Sequence, residues 1–446
     1  MDELIKLLRS KNLEEVKENL TYDVIGLFAS IPIGVFFLSV IFQLIKDLAT
    51  RPSFDLELYN PYAYTIKYVN IIATVFGILA IILYLIRKHL DGIKLKQILK
   101  HPAILLFILL AIWSFITTCI NGFTDYALNG TYYRNESIFS FLRYYLIYFM
   151  CGVITTKRQR NFLLHILMYS SMILVFFDLL NYINILDEKF NDQWTSVFFQ
   201  INHYGYYLAI VCLVSMSYYL LKDQNKKYLV IFCFNLMVLL FNNTFGSYLG
   251  VFAGLVFAFL ISFKIKLLNK SKMIVILSII ILSTISVELI DPAKAGNFST
   301  LFTDIYNVTL EEENADLAGT GRWLVWTYTV DRLNEKPTAY LTGFGIEKIS
   351  DVMLKKTGSS RPHNEFLQQV EFFGLPALIL YVSAILLIYL RANKYYKRLN
   401  LPTIVALIAS FGYLFQSGLG NTMFYTSPFF FSILGMCHYY NKILSK

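Results

Sequence analysis

Twelve apolar runs, each of roughly the 17–25 residues that a bilayer demands, decide what this chain folds into. They lie at 23–45, 65–86, 102–120, 138–156, 162–183, 198–221, 228–243, 245–263, 273–290, 366–390, 402–420 and 423–441. Hydrocarbon offers the backbone no hydrogen-bond partners, so runs of this length must close their own hydrogen bonds as helices. The expected fold is all-α and polytopic: one integral membrane domain over 1–446, with about twelve spanning helices. The seventh and eighth runs are short and barely separated, by Asn242-Asn243-Thr244. Hydrophobic residues make up 56% of the chain and charged residues 15%, with a mean hydropathy of +0.54, which excludes a soluble globular protein. The five cysteines (Cys119, Cys151, Cys212, Cys233, Cys437) fall inside apolar runs without paired spacing, as small buried hydrophobes do.

Charge tests this topology independently. The segments 87–100, 157–160, 222–227, 264–272 and 391–398, with the two termini, hold 25 of the 39 Lys and Arg residues. With twelve spans, all of these fall on one side, which the positive-inside rule makes the cytoplasm. Both termini are then cytoplasmic, residues 1–20 forming a charged, helix-prone tail with no cleavable signal ahead of the first span. The net charge of +9 is therefore a topology signal, and no basic patch concentrates in one domain as nucleic-acid binding requires.

The polar content of the other side collects in one large extracytoplasmic loop, 291–365, with eleven acidic and eight basic residues and room for short helices. Within it Trp323, Trp326, Val330 and Leu333 recur at helical spacing, predicting an amphipathic helix from Arg322 to a stop before Pro337. A surface helix with solvated charges has the same pattern. At the loop's exit Asn364, Gln368 and Glu371 form a polar stripe on the first turns of the tenth span, of the kind that faces a water-filled cavity or a partner helix. His363 precedes that stripe. Its near-neutral pKa suits it to take a proton from a hydroxyl, although a histidine bonded to a loop carbonyl looks the same in sequence.

Three further features lie at the outer ends of other spans. Arg143 sits about a turn inside the fourth span, where it needs a carboxylate (Asp178 or Glu288), helix carbonyls or a bound anion. Asn202 and His203 open the sixth span, where hydrogen bonding between helices is the plain alternative. Asn242, Asn243, Thr244 and Ser247 make a polar break that reads best as a tight turn.

In this order the parts resemble the O-antigen ligase and polysaccharide polymerase superfamily of multi-pass membrane enzymes. The motifs are Asn202 in QINHYGYYLA, the segment NNTFGSYLG, an Arg ahead of Trp in GRWLVW, the GFG turn at Gly343 to Gly345, and HNEFLQQVEFFG. One departure is the lack of the Ser-Arg pair that many relatives carry in the Thr/Ser segment. This shifts weight to Arg143, Arg322 and Arg361.

The resemblance implies a GT-C-like bundle of a bacterial cell membrane, acting on an undecaprenyl-pyrophosphate-linked oligosaccharide at the outer face. It implies an O-antigen or capsule polymerase working by inverting, metal-independent glycosyl transfer without a cofactor. The alternative is ligase-type transfer to another acceptor. On this reading His363 and Arg322 are catalytic, His363 as base and Arg322 at the leaving pyrophosphate. Arg143, Arg361, Asn202, His203, Asn364, Gln368 and Glu371 then bind pyrophosphate or glycan. Membrane lipids, a flippase and a chain-length regulator are the implied partners. A flippase or transporter is the rival from another class. Against it stand the absence of two similar halves in the sequence and the placing of Arg322, Arg361 and His363 in an external loop rather than at mid-membrane.

Overall fold

The computed structural model describes residues 5–7, 9–10, 12–50, 61–93, 101–130, 135–182, 195–198, 200–222, 226–267, 269–290, 306–308, 316, 318–346, 350–423 and 425–438. Among these the secondary structure is helical and no strand occurs. The chain is an all-α polytopic membrane protein. After a short α1 (Leu13–Asn19) come α2 (Tyr22–Thr50), α3 (Pro61–Leu90), α4 (Pro102–Asn121) and a one-turn α5 (Asp125–Asn129). Then follow α6 (Ile138–Phe149), which ends in a π-turn over Met150–Ile154, α7 (Lys157–Tyr182), α8 (Ile201–Leu221), α9 (Lys226–Asn242), α10 (Phe245–Lys264) and α11 (Lys270–Ile290). The polar interval supplies α12 (Ala318–Glu335), α13 (Ala339–Thr342), α14 (Ser350–Thr357) and α15 (Glu365–Phe373). The bundle closes with α16 (Leu375–Lys394), α17 (Leu401–Ser417) and α18 (Ser427–Met436).

Every expected run contains a helix, but of the twelve spans expected only eight helices among the described residues are long and apolar enough to cross a membrane, and that of the twelfth run covers only Ser427–Met436. The tenth run needs correcting. It is not one helix over 366–390 but two, α15 and α16, broken at Gly374 with φ +85°. A Cβ at Gly374 would collide with the Leu341 carbonyl, and one at Gly343 (φ +69°) with the backbone of Phe372. The two turns nest against each other so closely, in a left-handed conformation, that only glycine fits either one.

Burial separates the middle of the bundle from its rim. α8 is apolar all round, and 89% of its most hydropathic window is buried, against 17% for α11. Around α8 pack α9, α10 and α17, while α2 packs on α3 and α7, α16 on α4, and α18 on α6. The α9–α10 break is the expected tight turn. Asn243 has φ +58°, and Asn242 Nδ2 and Thr244 Oγ1 both donate to the Ile201 carbonyl, at 3.0 and 3.2 Å.

The basic segments meet at one end. Lys272 Nζ donates to the Lys222 carbonyl at 3.0 Å, Lys264 to the Asn393 side chain, Arg87 to the Lys17 carbonyl at 2.7 Å, and Arg160 to the carbonyls of Met436 and His438. The long polar interval stands at the opposite end. There Asn121 Nδ2, at the close of α4, donates to the Thr342 carbonyl at 3.0 Å.

Candidate active site

The site is built from the two ends of the polar interval. α12 begins at Ala318, four residues before the expected start, and its buried stripe is Ala318, Val325, Thr329 and Leu333. Val330, expected on the packed face, is 42% exposed. The stripe's period places Arg322 on the bundle-facing side, between Ala318 and Val325. Val325 and Leu333 join Ala339, Phe344, Met353 and Val370 in a small satellite core that seats the interval on α15.

One turn beyond Arg322, Trp326 Nε1 donates to the Pro362 carbonyl at 2.8 Å, which brings the Arg322 side of α12 against the turn that carries His363. Arg322 itself donates from Nη1 to the Gly319 carbonyl at 2.7 Å. Its guanidinium and the Glu365 carboxylate both act electrostatically on the Tyr206 hydroxyl, which donates to the Leu419 carbonyl at 2.8 Å. Two residues on, Asn421 Nδ2 lies 3.3 Å from His363 Nδ1. Arg322, Tyr206, the 418–423 turn and His363 thus converge.

His363 adopts φ +49°, a left-handed conformation that costs a non-glycine residue about 1–2 kcal/mol. Such strain concentrates where a side chain must be aimed. The Asn421 amide faces the imidazole at Nδ1. Asn421 Oδ1 is buried and unpartnered among the described residues. Turning that amide over places Oδ1 against His363 Nδ1–H, so that Nε2 carries the basic lone pair. Oxygen and nitrogen of an amide are assigned from such networks.

The remaining expected site residues divide. Arg361 is fully buried, with Nη2 2.5 Å and Nε 2.6 Å from Glu136 Oε2, and Nη2 2.9 Å from the Tyr126 hydroxyl. Burial opposes its charge, but the Glu136 carboxylate more than restores it and holds the guanidinium above its ordinary range. Asn364 caps α15, its Oδ1 accepting from the amides of Phe366 and Leu367 at 3.0 Å each. Gln368 accepts from the Thr422 amide at 2.7 Å and donates to Glu136 Oε1 at 3.3 Å. Glu371 is fully buried within reach of Arg361's charge. Of the two faces expected for this polar stripe, these contacts lie on partner segments and fasten α15 to the bundle.

Arg143 pairs with neither expected carboxylate. Asp178 accepts from the Tyr204 hydroxyl instead, and Arg143 Nη2 donates to Ser140 Oγ at 2.8 Å. Arg143 lines a cleft of about 590 Å³ whose walls include none of Asn202, Arg322 or His363. His203 is buried and stacks on Tyr425 at 4.8 Å between ring centroids, and Asn202 is half-buried beside it at the start of α8.

Residues 229–382, from within α9 to within α16, match the family model described as O-antigen ligase. This match supports a place in the O-antigen ligase and polymerase superfamily. A search of curated proteins returns no match. The matched segment contains Arg322, Arg361, His363 and α15. It supports, in general terms, an activity of the ligase or polymerase type on lipid-linked oligosaccharide. The partners its residues find, Glu136, Tyr206 and Asn421, lie outside it. Sequence reasoning missed all three. Asn421 carried the clearest signal, standing directly after the turn-forming Gly418-Leu419-Gly420.

Proposed function

We propose that the protein is a polysaccharide polymerase that joins lipid-linked oligosaccharide repeat units at the outer face of a bacterial cytoplasmic membrane. The observation that carries this reading is the Trp326–Pro362 bond at 2.8 Å, which holds the Arg322 side of α12 beside the turn of His363. A transferase of this class needs those two chemistries side by side, at the level of the lipid headgroups.

In the reaction an acceptor sugar hydroxyl attacks the anomeric carbon of the donor. A new C–O bond forms on the face opposite the leaving group while the bond from that carbon to the pyrophosphate oxygen breaks. The hydroxyl proton passes to His363 Nε2, and the electron pair leaves with the lipid pyrophosphate. Arg322 stabilises the charge that grows on that leaving oxygen, because a guanidinium stays charged and presents a planar fork to phosphate oxygens. Asn421 fixes the imidazole tautomer through Nδ1, and Tyr206 and Glu365 shape the polar wall between the two groups. Asn202 and His203, at the start of α8, extend that wall toward the glycan. The basic segments at the other end of the bundle lie in the cytoplasm.

The test is assembly by the full chain, purified in detergent and given lipid-linked repeat units. Extension of the glycan with no membrane to cross separates an enzyme from a flippase. His363→Ala should lower turnover by about 10²–10⁴-fold, the usual contribution of a general base. Full-length polymer from that variant would remove His363 from the chemistry. In cells lacking the protein, single repeat units on the final acceptor point to a polymerase, and normal-length chains left on the lipid carrier point to a ligase.

A further inference from the structure

The cleft beside Arg143 has the shape and charge of a lipid site that the transfer reaction does not use. α3 contributes Lys67, Asn70, Ile71, Thr74 and Ile78, spaced so that they share one helix face. α6 contributes Phe139, Leu142, Arg143 and Leu146, again one face, and Leu128, Asn129, Gly130, Asn135 and Ser137 close the end. The two sides are graded in the same direction. Lys67, Asn70 and Arg143 lie nearest the end that carries the polar interval, with Asn129, Asn135 and Ser137 above them. Ile78 and Leu146 lie deeper, and at 1.5 Å per residue Ile78 is roughly 16 Å below Lys67. Ile71, Ile78 and Phe139 are about half exposed, so the cleft opens sideways, where acyl chains would be.

Among the described residues two cations and no carboxylate line this cleft. Arg143 spends one donor on Ser140, while its Nε is buried without a partner among the described residues. A buried guanidinium nitrogen left unpaired is costly, and an anion held beside it removes that cost.

We propose that the α3–α6 cleft binds one anionic phospholipid. Its phosphodiester pairs with Arg143 and Lys67, and one acyl chain lies along Ile71, Ile78 and Leu146. The glycan donor fits poorly here. A donor with its phosphates in this cleft would present its anomeric carbon to walls that lack Arg322 and His363. The site is therefore a resident lipid site beside the reaction centre.

The full chain is reconstituted in nanodiscs of phosphatidylcholine with a minor fraction of phosphatidylglycerol, and the lipid retained after detergent extraction is read by native mass spectrometry. One phosphatidylglycerol should be retained per protein in preference to phosphatidylcholine. Arg143→Gln with Lys67→Gln should lower that retention by more than about tenfold, since each of the two lost charge-assisted pairs accounts for about that much. Leu146→Trp, which fills the chain channel and keeps both cations, should lower it as well. Equal retention of the two lipids, or unchanged retention in the double variant, overturns the proposal. So does stoichiometric displacement of phosphatidylglycerol by added undecaprenyl pyrophosphate, because the cleft would then be a donor site.

Discussion

Arg322 and Arg361 enter the same region of the molecule from opposite ends of one polar interval, and the fold uses them differently. Arg361 has no exposed surface and a carboxylate within 2.6 Å, and Tyr126 and the Ser360 carbonyl take further donors. Its charge is neutralised at home, so it acts as a rivet between α6 and the start of α15. Arg322 is half-buried, bonds a carbonyl three residues back, and projects its charge onto Tyr206. A carbonyl orients a guanidinium without cancelling its charge. In a hydrophobic protein the question about each arginine is what already neutralises it.

The largest effect should come from breaking the rivet. Arg361→Ala or Glu136→Ala leaves a buried unpaired charge and should cost about 3–5 kcal/mol of stability, read as a lower thermal midpoint in detergent. Glu136→Gln combined with Arg361→Gln should cost less than the two single changes summed. A stable but inactive Arg361→Ala would instead move Arg361 into the reaction. Next in size, Arg322→Ala should cut turnover by about 10²–10³-fold with an unchanged midpoint, the loss typical of one preorganised charge-stabilising donor. Arg322→Lys should fall between, since a point charge lacks the bidentate fork. A midpoint drop equal to that of Arg361→Ala would erase the contrast between the two arginines. The smallest effect is Trp326→Phe, which removes one hydrogen bond and one ring of the indole and should cost about 1–2 kcal/mol. Turnover should then fall because α12 is less firmly seated, with donor binding more affected than the proton transfer at His363.

Much of the bundle was legible in the sequence because length and periodicity are local. The twelve apolar runs, the gathering of basic segments at one end and the tight turn after Asn242 all follow from neighbours along the chain. The Arg361–Glu136 pair joins residues 225 positions apart, and nothing near either one announces the other. The stripe of Asn364, Gln368 and Glu371 was correctly a stripe. Its partners, Glu136 and the Thr422 amide, come from distant parts of the chain, so nothing near the stripe could choose between a cavity and a packed neighbour. On α12 the expected stripe was right at Leu333 and wrong at Val330, and the packed face also takes in Ala318, Val325 and Thr329. The break at Gly374 hid inside an apolar run, where one glycine carries little weight against hydropathy.

The nested turns at Gly343 and Gly374 join the polar interval to the foot of α16 as firmly as a mortise joint. α16 stands at the rim of the bundle, with Leu375, Ile379, Val382, Leu386 and Leu390 exposed along its length. A bilayer too thin or too thick for these residues is accommodated by tilt. Tilt of α16 is passed through the joint to the 341–346 turn and to α15, which His363 and Asn364 lead into. The membrane's thickness thereby becomes a lever on how the imidazole is aimed, and strains or temperatures that remodel lipid chains would tune the enzyme without touching a single polar group.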